Sequence, residues 1–207
     1  MSQGITWAGG LNSLELFIKG VKTASADFTQ VVTSPAKAGQ APRVKTSLGR
    51  FELSRPARFR FDYSKPFAQS IVADGQTLWL YDIDLNQVTA RKQSDALATT
   101  PAALIASAAD VQALKADFVL ADAPDKDGMQ WLVATPKSRE GQLQSVKLGF
   151  RADSLTAGAP ASLEVLEILD SFGQLSVLTF KNFQVNPALS AAAFSFKPPA
   201  GADLIRQ

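Results

Sequence analysis

Residues Leu48 to Arg91 read LGRFELSRPARFRFDYSKPFAQSIVADGQTLWLYDIDLNQVTAR. Apolar and charged side chains alternate along them: Phe51 and Leu53 against Arg50 and Glu52, then Phe59, Phe61 and Tyr63 against Arg58, Arg60 and Asp62. A strand turns successive side chains to opposite faces, so each set belongs on one face of a sheet. Pro56 and Pro66 fall between runs, where a missing N–H is tolerated. Asp74-Gly75 is a tight hairpin signal. Alternation then sets Trp79 and Tyr81 on one face of the next strand, with Leu78 and Leu80 on the other. The stretch predicts five consecutive strands and one aromatic face of Phe51, Phe59, Phe61, Tyr63, Trp79 and Tyr81.

Upstream, Leu11, Leu14, Phe17, Ile18 and Val21 recur at helical spacing and form one apolar stripe. Ala26, Phe28 and Val32 read as a first strand, and Thr33 to Thr46 as a loop rich in Pro, Gly and Lys. Downstream, Thr100-Pro101 opens a helix with a hydroxyl cap and a first-position proline. Ala102, Leu104, Ile105, Ala106, Ala108 and Ala109 continue it, with no charge before Asp110. Phe118–Leu120, Met129–Ala134 and Leu143–Phe150 read as strands, and Leu163–Leu169 with Leu175–Val185 as a long hairpin. Asn186-Pro187 predicts a short helix through Ala193, and Phe194 with Phe196 a last strand. About eleven strands in meander order with about three inserted helices predict one α+β domain. Its expected architecture is a strongly curved antiparallel sheet with helices on the concave side. Residues 1–10 and 202–207 are expected to be loose ends.

The totals exclude several functions. A chain of 207 residues suits one domain with a real core. There is no Cys and no His, so zinc sites of the usual ligand types and Ser-His or Cys-His nucleophile pairs cannot be built. No metal or cofactor is expected, and no enzyme activity. Asp82-Ile83-Asp84-Leu85-Asn86 resembles the opening of a calcium loop, but Gln87 replaces the turn glycine and Gln93 the bidentate Glu. A polar hairpin turn is the better reading. Glu164 and Glu167 are an odd number apart on a strand and make a poor carboxylate pair. With a net charge of +2, no strong field draws the chain to nucleic acid or anionic lipid. Alternation also separates the arginines from the aromatics, as a stacking platform does not allow. No run of about 18 apolar residues crosses a membrane. MSQGITWAGG has no positive and apolar leader pattern, which taken alone suggests a cytosolic chain, the alternative being a mature exported one with an added start Met.

The aromatic face is either an ordinary core or the lining of a cavity. The Thr100–Ala109 helix offers mainly small residues against it, which leaves space open. A resemblance bears on the choice. RP-x-x-F-x-F-x-Y at Arg55–Tyr63 and DG-x-T-LW-x-Y at Asp74–Tyr81 resemble the LolA family of lipoprotein carriers. So do Phe28-Thr29-Gln30, Thr100-Pro101 with Leu104-Ile105-Ala106, and Phe194-Ser195-Phe196-Lys197-Pro198-Pro199. These run in family order over roughly residues 11 to 201.

The resemblance implies an open β-barrel closed by a helical lid over an acyl-chain cavity. The implied lining is Phe28, Phe51, Phe59, Phe61, Tyr63, Trp79, Tyr81, Leu104 and Ile105. Arg55 is the implied latch, reaching into the mouth and hydrogen-bonding to the lid. The implied role is a monomeric periplasmic carrier. It would take lipoproteins from an inner-membrane ABC transporter to the outer-membrane acceptor LolB. The periplasmic reading expects a mature exported chain from which a signal peptide is absent. A carrier or sensor of another lipid or glycolipid is the alternative.

Overall fold

The computed structural model describes residues 9–36, 39–96, 110–138, 141–151 and 160–207. Helix α1 spans Gly10–Gly20. Six strands follow: β1 (Thr23–Ser34), β2 (Arg43–Ser54), β3 (Arg58–Lys65), β4 (Gln69–Ala73), β5 (Thr77–Asp82) and β6 (Gln87–Lys92). Helices α2 (Gln93–Ala96) and α3 (Val111–Asp117) come next. Then come β7 (Phe118–Lys126), β8 (Met129–Pro136), β9 (Leu143–Arg151), β10 (Ser162–Asp170), β11 (Leu175–Val185) and β12 (Asp203–Arg206). All twelve strands form one sheet in the order β12-β6-β5-β4-β3-β2-β1-β11-β10-β9-β8-β7. Two meanders are thus joined where β1 pairs antiparallel with β11. Every pairing is antiparallel except β12 on β6.

The inner face carries the core. Residues directly opposite across a ladder share a face, so the register fixes each side chain's side. Phe51 pairs with Phe61, Phe61 with Ile71, and Ile71 with Leu80. On the other meander Leu178, Leu166, Leu148 and Leu132 line up across β11 to β8. Helix α1 lies over β7, β8 and β9 and buries Leu14, Phe17 and Ile18 there. Its N-terminal end is held by the Asp122 carboxylate, which accepts from the Leu11 N–H at 2.7 Å. The buried Ser13 hydroxyl donates to Gln130 Oε1. A Cβ on Gly10 would sit 2.2 Å from the Trp131 carbonyl oxygen, so only glycine lets the helix approach this closely.

Four expectations change. The helix read at Pro187–Ala193 is a single 3-10 turn, Ala191–Phe194, capped by the Ser190 hydroxyl. It rests on the outer face, where Arg60 Nη1 donates to the Ala193 carbonyl at 3.1 Å. It is therefore no part of a cover over the inner face. Phe194 and Phe196 form no strand. The last strand is Asp203–Arg206, so residues 203–206 are pinned to β6 instead of hanging loose. The loop after β1 is also shorter than expected, because Arg43–Thr46 pair with Val31–Ser34. The helix expected from Thr100 to Ala109 lies outside the described residues.

Candidate functional site

A row of aromatic rings crosses the inner face. Tyr63 meets Phe28 edge-on at 5.0 Å between centroids, and Phe28 meets Phe61 at 5.4 Å. Phe61 lies 4.7 Å from Phe51, and Phe51 lies 5.4 Å from Phe180. Phe180 leads to Phe183 at 6.5 Å, Phe183 to Phe17 of α1 at 6.1 Å, and Phe17 to Phe150 at 5.7 Å. Phe59 joins from the side, 6.1 Å from Phe61. Rings at these separations, tilted or edge-on, satisfy the aromatic quadrupole.

Small residues make the row possible. Gly49 is the cross-strand partner of Phe28, and a Cβ there would lie 2.6 Å from Phe28 Cζ. Ala26 is the partner of Phe51 and leaves room on β1 for Phe51 and Phe180 to touch from the strands on either side. Phe180 and Phe183 are an odd number apart, yet both face inward. The ladder with β1 shifts register at Ser25/Asp27, and Asn182 beside it adopts a φ of 52°. That bulge turns β11 and re-aims Phe183.

Trp79 and Tyr81 do not join the row. Trp79 pairs with Val72 and Tyr81 with Ser70, which are partners of Arg60 and Asp62 on the outer face. There the ring of Phe196 covers both, at 5.4 Å and 5.7 Å. The inner side of β5 is supplied by Leu78 and Leu80. Both faces of this strand are covered, so its apolar pattern carries no preference for one side.

Arg55 sits in the corner between β2 and β3. Its main-chain N–H donates to the Lys22 carbonyl at 2.8 Å and its Nε to the Val21 carbonyl at 3.0 Å. Val21 is the residue that ends α1, where helix carbonyls lack partners within the helix. The guanidinium also stands 5.6 Å from the centre of the Phe17 ring. Burial lowers its pKa to about 10, which leaves it charged at neutral pH.

Asn186, which the sequence suggests as the cap of a following helix, holds the same end of α1. Its Oδ1 accepts from the N–H groups of Lys22 at 2.7 Å and Thr23 at 3.3 Å, and its Nδ2 donates to the Gly20 carbonyl at 2.9 Å. Arg55 and Asn186 thus fasten the helix that carries Phe17 into the row.

Tyr63 ends the row and differs from it in chemistry. Burial raises its hydroxyl pKa to about 12. Leu104 and Ile105 lie outside the described residues. Glu164 and Glu167 take separate partners: Glu164 chelates Arg151 at 2.6 and 2.9 Å, and Glu167 stands 3.9 Å from Lys147. Among the described residues no group of three Asp or Glu side chains is placed to hold a metal ion.

The model of the family "Outer membrane lipoprotein carrier protein LolA" matches residues 19–197. The chain belongs to the LolA family. A protein of Albidiferax ferrireducens named outer-membrane lipoprotein carrier protein is 70% identical over 204 residues, covering 99% of this chain and 94% of its own. The protein of that name from Methylibium petroleiphilum is 48% identical, covering 100% and 94%. Among solved structures, an uncharacterized conserved protein from Thermus thermophilus superposes with a TM-score of 0.54 at 15% identity, covering 95% and 98% of the two chains. An outer-membrane lipoprotein-sorting protein domain from Vibrio parahaemolyticus gives 0.52 at 12%, covering 87% and 95%. At those identities the likeness establishes the shared fold of this LolA-family chain.

Proposed function

We propose that this protein is a carrier of outer-membrane lipoproteins, and that the inner aromatic row is the surface its cargo's acyl chains occupy. The observation that carries this reading is the continuity of the row. It joins both meanders and α1 into one apolar surface of rings.

The physical need is specific. Each acyl CH₂ carries roughly 0.8 kcal/mol of hydrophobic free energy, so a lipid-modified protein cannot cross water unshielded. A carrier without an energy source must bury the chains yet release them. Rings stacked on one another serve both demands. In the closed state they cover each other, and an entering chain replaces ring contacts with chain contacts. The net affinity is the difference between two similar burials, which keeps release cheap.

Phe28, Phe51, Phe59, Phe61 and Tyr63 are the proposed lining, with Phe180 and Phe183 added by the geometry. Leu104 and Ile105 are proposed to belong to the same acyl-chain lining. Arg55 is the proposed latch at the α1 end. The carrier works in the periplasm as a monomeric single domain, binds without catalysing a reaction, loads from an inner-membrane ABC transporter and unloads to LolB. The test is release of a labelled lipoprotein from inner-membrane vesicles. Release that depends on this protein supports the reading. No release above buffer, with a transporter shown to be active, contradicts it.

A further inference from the structure

We infer that the Tyr63 end of the aromatic row is a binding site for the anionic head of a single-chain amphiphile. The inference rests on the acyl-chain reading above and adds a headgroup site to it. A pocket of about 160 Å³ opens at this end, lined by Gln30, Lys45, Ser47, Tyr63, Phe67 and Gln69 together with Val32 and Pro66. It lies away from Arg55. Arg55 stands where β1 begins, beside Val21 and Lys22, whereas Gln30, Val32 and Lys45 lie at the hairpin end of β1 and β2.

The lining is unlike the rest of the inner face. It offers two amides, two hydroxyls and an ammonium, and no carboxylate. The Tyr63 hydroxyl has no hydrogen-bond partner among the described residues, although its ring is packed edge-on against Phe28. One side chain therefore belongs to both regions: the Tyr63 ring ends the apolar row and the same residue lines the polar pocket. Gln30, which also lines the pocket, is held by its own bond, its Nε2 donating to the Ser176 hydroxyl of β11 at 2.7 Å. The Lys45 ammonium stands 5.2 Å from the centre of the exposed Phe67 ring. It makes no ion pair among the described residues.

Donors of this kind fit an anion at the end of an apolar chain. The ester and amide links of a protein-bound lipid are neutral and do not need the ammonium. A fatty-acid carboxylate or the phosphate of a lysophospholipid does. Either places its oxygens between Lys45 and the Tyr63 hydroxyl and its chain against Phe28.

The test displaces a bound hydrophobic dye with palmitate, lysophosphatidylglycerol or uncharged monopalmitoylglycerol at neutral pH. The wild-type chain should prefer an anionic ligand over the neutral one by about fivefold, as one partly screened charge contact allows. Lys45→Gln, at an exposed position, should abolish that preference and leave monopalmitoylglycerol binding unchanged. Tyr63→Phe should reduce the preference. Preference for palmitate alone assigns a carboxylate site, and for the lysophospholipid alone a phosphate site. Equal binding of charged and neutral chains, or a preference that survives Lys45→Gln, overturns the inference while leaving the acyl-chain reading intact. Failure of all three to displace the dye removes both.

Discussion

Arg55 and Val21 are joined by a 3.0 Å hydrogen bond from the guanidinium Nε to the carbonyl of Val21, the C-cap residue of α1. The same guanidinium faces the Phe17 ring, so one residue ties the β2–β3 corner to the helix and to the aromatic row. Arg55→Met keeps the apolar stem and removes the charge-assisted bond, which is worth about 1.5–3 kcal/mol. The urea midpoint should fall accordingly. Arg55→Lys should recover little, because an ammonium lacks the planar fork. In a two-step assay Arg55→Met should load from inner-membrane vesicles and fail in hand-off to LolB. Normal hand-off would remove Arg55 as a latch.

Asn186 fastens the same helix end with three side-chain bonds at a φ of 55°. Asn186→Ala loses the bonds and strains the backbone, for a cost of about 2–3 kcal/mol. Asn186→Gly loses the bonds alone and should cost less. Amide exchange at Lys22 and Thr23 should quicken in both. Equal stability of the two variants would mean that the backbone conformation contributes nothing.

Tyr63 gives an alkaline signature. Its pKa is raised from 10 to about 12 in the fold, so the folded state holds the proton longer than the unfolded chain. The stability this represents is fully present below about pH 10 and is lost as pH rises through about 12. The wild-type chain should therefore lose stability across that window faster than Tyr63→Phe. Parallel curves for the two proteins would show a hydroxyl that is not buried.

Phe61 and Trp79 occupy opposite faces, and their truncations should separate binding from stability. Phe61→Ala removes a buried ring, at about 3–5 kcal/mol, and should also weaken acyl-chain binding. Trp79→Ala should loosen the segment around Phe196 and leave binding untouched. A dye-displacement titration beside a urea melt distinguishes the two. Loss of acyl binding in Trp79→Ala without unfolding would contradict the face assignment.

Much of the fold is legible in the sequence. Alternation from Leu48 to Tyr63 gives the inner phenylalanines and outer charges of β2 and β3, because only one face there is apolar. The same rule fails at Trp79 and Tyr81. Alternation fixes which residues of one strand share a side. It does not fix which side, and that depends on turn lengths and pairing register across β3, β4 and β5. The Leu-Trp-Leu-Tyr run is apolar on both sides, because Phe196 returns from far along the chain to cover the outer one. Phe183 is hidden for a different reason: a left-handed Asn182 changes the parity of β11, and asparagine carries no unique signal for it. Asn186 reads in sequence as opening the helix after it. Its side chain instead closes the helix 166 positions earlier, ending at Gly20, a contact made only by the β1–β11 pairing.

The central claim is that acyl chains occupy the inner row and no other surface. A photoreactive benzoylphenylalanine placed singly at Phe51, Phe61, Phe180 or Tyr81 tests it directly, with a lipoprotein labelled in its acyl chains. Illumination of the loaded complex should transfer label to the chain carrying the probe at Phe51, Phe61 or Phe180, and give none at Tyr81. Label captured at Tyr81 and absent from all three inner positions would contradict the account.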